Sequence, residues 1–508
     1  MERSAIVTQS KGLAYLLATV SGPLNESGDV RDGELEVNVE WPLPAHLRTG
    51  DATVALISGT CYHRRRKIES LDIVVAGSRH RPDAFGMPRP DVAAAAGDAA
   101  ELAYHSGFWA TVPLIARNPG ELEIKLAVRL PGGGELSVPV GPTKVADRPP
   151  PPALGARPEQ VGGSLIAICM TTFEPDMELF RMQIESLRSQ TDRRWICVIS
   201  DDHSSAESFA EIQTVLDGDS RFAISRSEER VGFYRNFERA LGLAPPEADL
   251  VALSDQDDRW HPDKLEALRA ALAGGAVLAY SDLRLVDAHG RVLRETFWKG
   301  RRNNHTNLAS MLVANTVAGA AMMFRRDLAE LALPFPDMPG LQFHDHWLGV
   351  LALAAGELAY VDRPLYDYVQ HAGAVFGDVS MGGELEGRSR LIDRWRSAYF
   401  HGYLARELQA RTLLLRCPER ISASKRRVLR RFLASVRSPV AWAWLAGRSA
   451  RVLVGRNETL ASELPLAQGI VWRRLVGLCA RSGRQRCDAR IPSGSFEQRR
   501  LRRWRARL

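Results

Sequence analysis

Cysteine is scarce in this chain of 508 residues; the six are Cys61, Cys169, Cys197, Cys417, Cys479 and Cys487. None belongs to a CxxC pair and the spacings match no zinc pattern, so neither a disulfide framework nor a structural zinc module is indicated. Cys169 and Cys197 fall inside apolar runs that read as buried strands, which predicts reduced, structural cysteines in a cytoplasmic protein. No run reaches the ~18 apolar residues of a membrane span. The longest, Met311 to Phe324, is interrupted by Asn315 and Thr316. Gly12 to Val20 imitates only the core of a signal peptide, and its flanks fit poorly. There is no internal repeat. Nor is there a glycine-rich phosphate loop or a lysine-bearing signature near the first strand of the central region, which counts against the nucleotide-binding enzymes built on such loops.

What the chain does have is an excess of positive charge, +7 with a pI of about 9.2. That sign favours anionic partners: nucleotide phosphates, acidic lipid headgroups or nucleic acid. The excess is uneven, because Arg499, Arg500, Arg502, Arg503, Arg505 and Arg507 crowd the last residues. Nucleic acid is the weakest of the three partners, since no recognised motif accompanies the charge.

At ~100–200 residues per domain the length suggests about three domains. A Pro/Gly-rich linker, 146–163, separates two of them. Residues 1–145 read as a β-sandwich: Leu122, Ile124, Leu126, Val128 and Leu130 alternate strictly, and short apolar runs at 54–57, 71–75 and 108–112 are separated by turn residues. The basic run 62–67 reads as a hairpin tip. Residues 164–384 alternate strand-like and helix-like segments, which predicts an α/β domain with a mainly parallel, Rossmann-like sheet. Residues 385–508 form a basic α-helical region in which arginine mixes with Trp442, Trp444, Trp472 and Trp504. Such helices either lie on an anionic membrane or pack together behind a solvated basic face.

In open α/β sheets ligands bind beyond the carboxyl ends of the strands. Here the strand at 195–200 runs into Asp201-Asp202, that at 250–254 into Asp255-Gln256-Asp257-Asp258, and that at 277–281 into Asp282. Carboxylates gathered on one edge repel unless a cation sits among them, and Mg²⁺ or Mn²⁺ suits oxygen ligands. The alternative is a helix cap, with Asp257 or Asp258 opening the helix after Pro262.

The residues then match an ordered series. It runs through Met170-Thr171-Thr172-Phe173, Gln190-Thr191, Asp201-Asp202-His203-Ser204, Gly232-Phe233-Tyr234-Arg235-Asn236, Asp255-Gln256-Asp257-Asp258-Arg259-Trp260, Ser281-Asp282, His344-Asp345-His346-Trp347 and Gln370-His371. In this order residues 164–380 resemble family 2 glycosyltransferases of the GT-A fold, particularly the rhamnosyltransferase-like branch. The resemblance implies that Thr171, Asp202 and Asp255 contact the nucleotide, that Asp257 binds the metal, and that Asp345 is the catalytic base. It makes His371 a third metal ligand or a diphosphate contact. Asn236, Trp260 and Trp347 are candidate contacts to donor or acceptor, and the two tryptophans read equally well as helix-face core. His203 departs from the family, which often has a small residue there. No required carboxylate is missing, so an active enzyme is implied: one displacement at the anomeric carbon of a nucleotide-sugar donor, inverting it, onto a glycan or lipid-linked acceptor, in surface polysaccharide or glycoconjugate synthesis. A nucleotidyltransferase, and a glycan-binding scaffold with an inactive domain, are the competing readings. The expected location is the cytoplasm, with the inner face of the cell membrane as the place for a peripheral form.

Three side expectations accompany the series. Asp345 is alternatively a helix-capping acid. His344 and His346, at i and i+2 on a helix, point to different faces and share no ion. The stretch 300–307 reads either as a mobile loop beside the acceptor or as a plain solvated loop.

Overall fold

The computed structural model describes residues 33–147 apart from Pro42, 164–371 apart from Lys299 and Leu341, 391–482 and 488–491. The signal-peptide-like segment, the proline-rich stretch from 148 to 163, Cys487 and the arginine-rich tail lie outside the described residues.

Residues 35–146 form two facing sheets. One orders its strands Leu35–Trp41, Ala52–His63, Gly107–Ile115, Ala84–Met87; the other His46–Arg48, Glu135–Ala146, Gly120–Arg129, Ser70–Val75, Ser78–His80. The alternation in Gly120–Arg129 turns Leu122, Ile124, Leu126 and Val128 into the space between the sheets, where they meet Ile57 and Phe108. The sandwich therefore follows from the period-two pattern.

Strand Ala52–His63 is buried on both faces. Ala55 and Ile57 point into the sandwich, whereas Val54, Leu56 and the neighbouring Trp109 join the main core of the molecule. Helices of the C-terminal region cause this by covering the outer face. Trp109 packs edge-on against Phe400 with centroids 5.3 Å apart. The Val54 N–H donates to Thr412 Oγ1 at 3.2 Å. The Arg416 guanidinium donates to the carbonyls of Ala52, Leu331 and Pro334, joining all three parts of the chain.

The central part carries β1 (Leu165–Thr172), α1 (Met177–Arg188), β2 (Trp195–Asp201), α2 (Ala206–Leu216), β3 (Phe222–Arg226), α3 (Phe233–Leu243), β4 (Ala248–Ser254), β5 (Arg259–Trp260), α4 (Lys264–Leu272) and β6 (Leu278–Asp287). These are followed by α5 (Leu308–Val313), β7 (Met322–Arg325), α6 (Arg326–Ala332), α7 (His344–Ala355) and β8 (Leu358–Gln370). The sheet order is β3-β2-β1-β4-β7-β6-β8-β5. β3, β2, β1 and β4 are parallel, as expected, but β7 enters antiparallel between β4 and β6, so the sheet is mixed. The fold implied by the resemblance is present, with this antiparallel strand set inside it. The apolar run ending at Phe324 is thus explained: it supplies α5 and a central strand whose first three residues are buried.

Between residues 391 and 482 the chain is mainly helical: Leu391–Ser397, a π-helical stretch Ala398–Leu404, Ala405–Arg416, Ala423–Ala434, Pro439–Gly447 and Glu463–Ser482. Trp472 is buried against Tyr399 and Phe400, and the Trp442 indole donates to the Ala467 carbonyl. Among the described residues no helix is long and apolar enough to cross a membrane.

Because Trp109 fills the seam between sandwich and helices, Trp109→Ala is expected to lower unfolding free energy by about 3–5 kcal/mol, read from urea denaturation midpoints.

Candidate active site

Register places the ends of three parallel strands side by side, with Thr172 opposite Asp201 and Met170 opposite Ser254. Thr171, Asp202 and Asp255 therefore line one edge of the sheet, where α/β folds bind ligands.

The acids on this edge do different work. Asp201 is fully buried and accepts from Thr172 Oγ1 at 2.9 Å, the Ser204 N–H at 2.9 Å and Ser204 Oγ at 2.6 Å. Asp202 accepts from the N–H groups of Val231 at 2.7 Å and Gly232 at 2.9 Å. Gly232 has φ of 84°, a left-handed conformation that suits glycine. Asp202 thus spends its carboxylate on bracing the loop ahead of α3. His203 has φ of 62° and a ring nitrogen 3.0 Å from the Ser227 carbonyl. The departure from a small residue falls on a left-handed position, which His adopts more readily than most side chains.

Asn236 is buried on α3. Its amide donates to the Ser200 carbonyl at 2.9 Å, and its oxygen accepts from the Ser200 hydroxyl at 2.6 Å. Its expected role as a substrate contact is corrected: every polar atom of the amide is spent on clamping α3 to the end of β2.

The turn after β4 is held by Gln256, whose oxygen accepts the Phe173 N–H at 2.8 Å and whose amide donates to the Phe173 carbonyl at 3.3 Å. This lacing of two strand ends was missed by sequence reasoning; a carboxamide between two acids was its only signal. On either side of it, Asp257 Oδ2 lies 2.8 Å from His371 Nε2, and Asp255 is raised above the usual carboxylate range by burial and by the charges of Asp257 and Asp345. The hydrogen bond that His371 donates to Asp257 in turn raises its imidazole. Asp258 is buried, and burial and its acidic neighbours raise it further, opposed by Lys264 and the backbone of Val369. Helix α4 begins only at Lys264, with Asp263 at its cap position, so neither Asp257 nor Asp258 is a cap.

The fully buried Lys264 amine lies 3.3 Å from the centroid of the Trp260 ring and donates to the Ala320 carbonyl. Trp260 therefore packs beneath the buried Lys264 amine, whose pKa burial pushes down, and its expected contact with a sugar is corrected. Asp282 is likewise corrected. β6 runs on past it, and its carboxylate accepts from the Leu283 and Phe297 N–H groups and the Thr296 hydroxyl. Asp367 on β8 is fully buried and gathers Arg259, Arg284 and His261, fixing the strand that ends beside His371.

Asp345 opens the first turn of α7, where burial pushes its carboxyl up to about 7 against the His346 N–H and the Asn315 side chain. Its charge acts on Asp255, so base candidate and acidic turn face one another. His344 and His346 diverge as expected. The first stacks on Phe237 at 3.7 Å and the second has Nε2 2.9 Å from the Met311 carbonyl; burial pushes both down to about 3. Trp347 is fully buried and its indole donates to the Ala332 carbonyl at 3.0 Å, so its expected sugar contact is corrected to a core role. The 300–307 loop is held in place: Arg301 Nε donates to the Glu458 carbonyl at 2.8 Å and the Arg302 N–H to Asn457 Oδ1 at 3.0 Å. Its predicted mobility is replaced by attachment to the C-terminal region.

Among the described residues no group of three His, Cys, Asp or Glu is arranged to hold a metal ion. Asp257 and His371 are donor types that divalent cations accept, but here they are hydrogen-bonded to each other, so holding an ion needs that bond to give way.

Residues 168–331 match the family model for glycosyl transferase family 2. Solved structures similar to the chain include residues 1–349 of S. aureus TarS in complex with UDP-GlcNAc, at 15% identity and a TM-score of 0.39, covering 65% of this chain and 97% of that one. The mannosyltransferase PcManGT from Pyrobaculum calidifontis, in complex with GDP-Man and Mn²⁺, is similar at 14% identity and a TM-score of 0.33, covering 63% and 89%. No curated protein matches the chain.

Replacing the buried Asn236 amide by Leu leaves the Ser200 carbonyl and hydroxyl short of partners. Asn236→Leu is expected to cost about 2–4 kcal/mol of stability in chemical denaturation.

Proposed function

We propose that this chain, whose residues 168–331 form a family 2 glycosyltransferase domain, transfers a sugar from a nucleotide-sugar donor to a hydroxyl of a glycan or lipid-linked acceptor, inverting the anomeric carbon, in the making of a surface polysaccharide or glycoconjugate. The observation that carries the reading is that Asp255 feels the charges of both Asp257 and Asp345, with His371 bonded to Asp257.

In this reading Thr171, Asp202 and Asp255 border the nucleotide, and Asp257 and His371 hold a Mg²⁺ or Mn²⁺ ion. That cation supplies charge neutralisation for the leaving diphosphate. Asp345 accepts the proton of the acceptor hydroxyl. The freed oxygen forms the new bond to the anomeric carbon while the bond to the diphosphate oxygen breaks, and a nucleoside diphosphate leaves. A carboxyl lifted to about 7 by burial suits a base working near neutrality.

Two expectations test this. A panel of nucleoside diphosphates and nucleotide sugars, with and without Mn²⁺, should contain a ligand that raises the melting temperature of the wild type in a metal-dependent way, and Asp257→Ala should abolish the effect. If none shifts the wild type, an inactive scaffold replaces the transferase. Secondly, Asp345→Asn should cut release of nucleoside diphosphate by about 10²–10⁴-fold while keeping the nucleotide-induced melting shift. In the wild type, kcat/KM should rise with pH as the Asp345 carboxyl ionises, on a limb near or below 7 because a bound cation favours the carboxylate. A profile flat between pH 5 and 8 counts against Asp345 as base.

A further inference from the structure

Between Glu419 and Glu458 the chain carries ten lysine and arginine residues and no carboxylate. The stretch folds as the helices Ala423–Ala434 and Pro439–Gly447 and a 3₁₀ turn, Arg448–Val454. The second helix has no charged residue. A helix apolar all round is normally buried, yet Pro439, Val440, Ala443 and Gly447 face outward. Val440 is 73% exposed, and the 3₁₀ turn ends on Leu453 and Val454, 87% and 74% exposed. Leu460 and Leu464 continue the apolar surface at the foot of the last helix, which packs on both elements. Large aliphatic side chains gathered in this way mark a surface that something covers.

The charge around the patch selects the cover. Arg427, Arg430, Arg431, Arg437 and Arg456 are exposed on the same stretch of chain. The guanidinium groups of Arg431 and Arg448 lie 4.8 Å and 5.5 Å from the centroid of the Trp444 ring, an amphipathic group suited to a water–lipid boundary. A second copy of the chain presents the same sign of charge, and so does the chain's own tail beyond Arg499. An anionic bilayer accepts the aliphatic side chains and neutralises the arginines together.

This surface is tied to the catalytic domain. Arg448 and Arg451 donate to Ser310 Oγ at 2.7 Å and 3.2 Å, and Asn457 and Glu458 hold the loop at Arg301 and Arg302. Asn303 in that loop accepts from the Tyr280 hydroxyl on β6.

We propose that residues 439–464 seat the protein on an anionic lipid bilayer, with Leu453 and Val454 entering the interface and the surrounding arginines on the headgroups. The seating is independent of the transferase reading; only its use, bringing a lipid-borne acceptor to the cleft, rests on it.

The test is co-sedimentation of the full chain with vesicles of phosphatidylcholine alone or mixed with phosphatidylglycerol, at low and high salt, alongside analytical ultracentrifugation without lipid. The wild type should pellet with the mixed vesicles, less so at high salt, and not with phosphatidylcholine alone. Leu453→Asp/Val454→Asp should weaken binding about tenfold or more with an unchanged melting temperature, since both side chains are solvated. Arg427→Glu/Arg430→Glu should weaken it as well. The proposal is overturned if the wild type ignores anionic vesicles, if the aspartate variant binds as tightly as the wild type, or if the wild type self-associates through the patch and the aspartate variant does not. Failure here leaves the nucleotide-induced melting shift untouched, so the two readings fall separately.

Discussion

Four carboxylates, those of Asp255, Asp257, Asp258 and Asp345, are held together against their own repulsion, and much of the central domain is arranged to keep them so. Two like charges about 4 Å apart oppose each other by about 4 kcal/mol at an effective dielectric near 20. Nothing in the turn after β4 would gather such groups by itself. Gln256 laces that turn to Phe173, the Lys264 amine beside the acids is pulled toward its charged form by Asp258 and Asp255 against the cost of its burial, and α7 is anchored by core residues such as Trp347 so that Asp345 faces the others. The result is a site with excess negative charge and a histidine at its rim, poised for a cationic partner.

The braces are themselves polar and buried, so the edge of the sheet is stiff. Asp201, Asp202 and Asn236 spend their hydrogen-bonding capacity on the backbone and hydroxyls between β1, β2 and α3. Asp367 does the same between β5, β6 and β8 and so fixes the approach to His371. Such fully partnered networks cost little once formed and leave few alternative arrangements open. The groups proposed for catalysis and nucleotide binding thereby rest on a scaffold rather than on loops alone.

Much of this was legible in the residues. The period-two strands, the strand–helix alternation and the acids at strand ends led to the sandwich, the sheet and the edge on which the site lies. What stayed hidden depended on contacts distant in sequence. Trp260 and Trp347 look like sugar platforms until Lys264 and Ala332 are seen beneath them. Asp282 looks like a third site acid until Thr296 and Phe297 return to meet it. The antiparallel β7 lay in an apolar run whose periodicity distinguishes neither its direction nor its place. The loop at 300–307 looked free because its partners, Asn457 and Glu458, are some 150 residues away.

The sandwich strand Ala52–His63 and its neighbour Trp109 have one face whose cover is made of residues between Tyr399 and Trp472. At a synthesis rate of ~5–20 residues per second, a ribosome needs tens of seconds to reach those helices after the sandwich has emerged. Throughout that interval the first-made domain can close its own interior yet must carry an uncovered aromatic wall. The vulnerable period of this protein is thus written into the order of its chain: the first part to fold is the last to be shielded, and a chaperone that binds flat apolar sheet surfaces would find its substrate there.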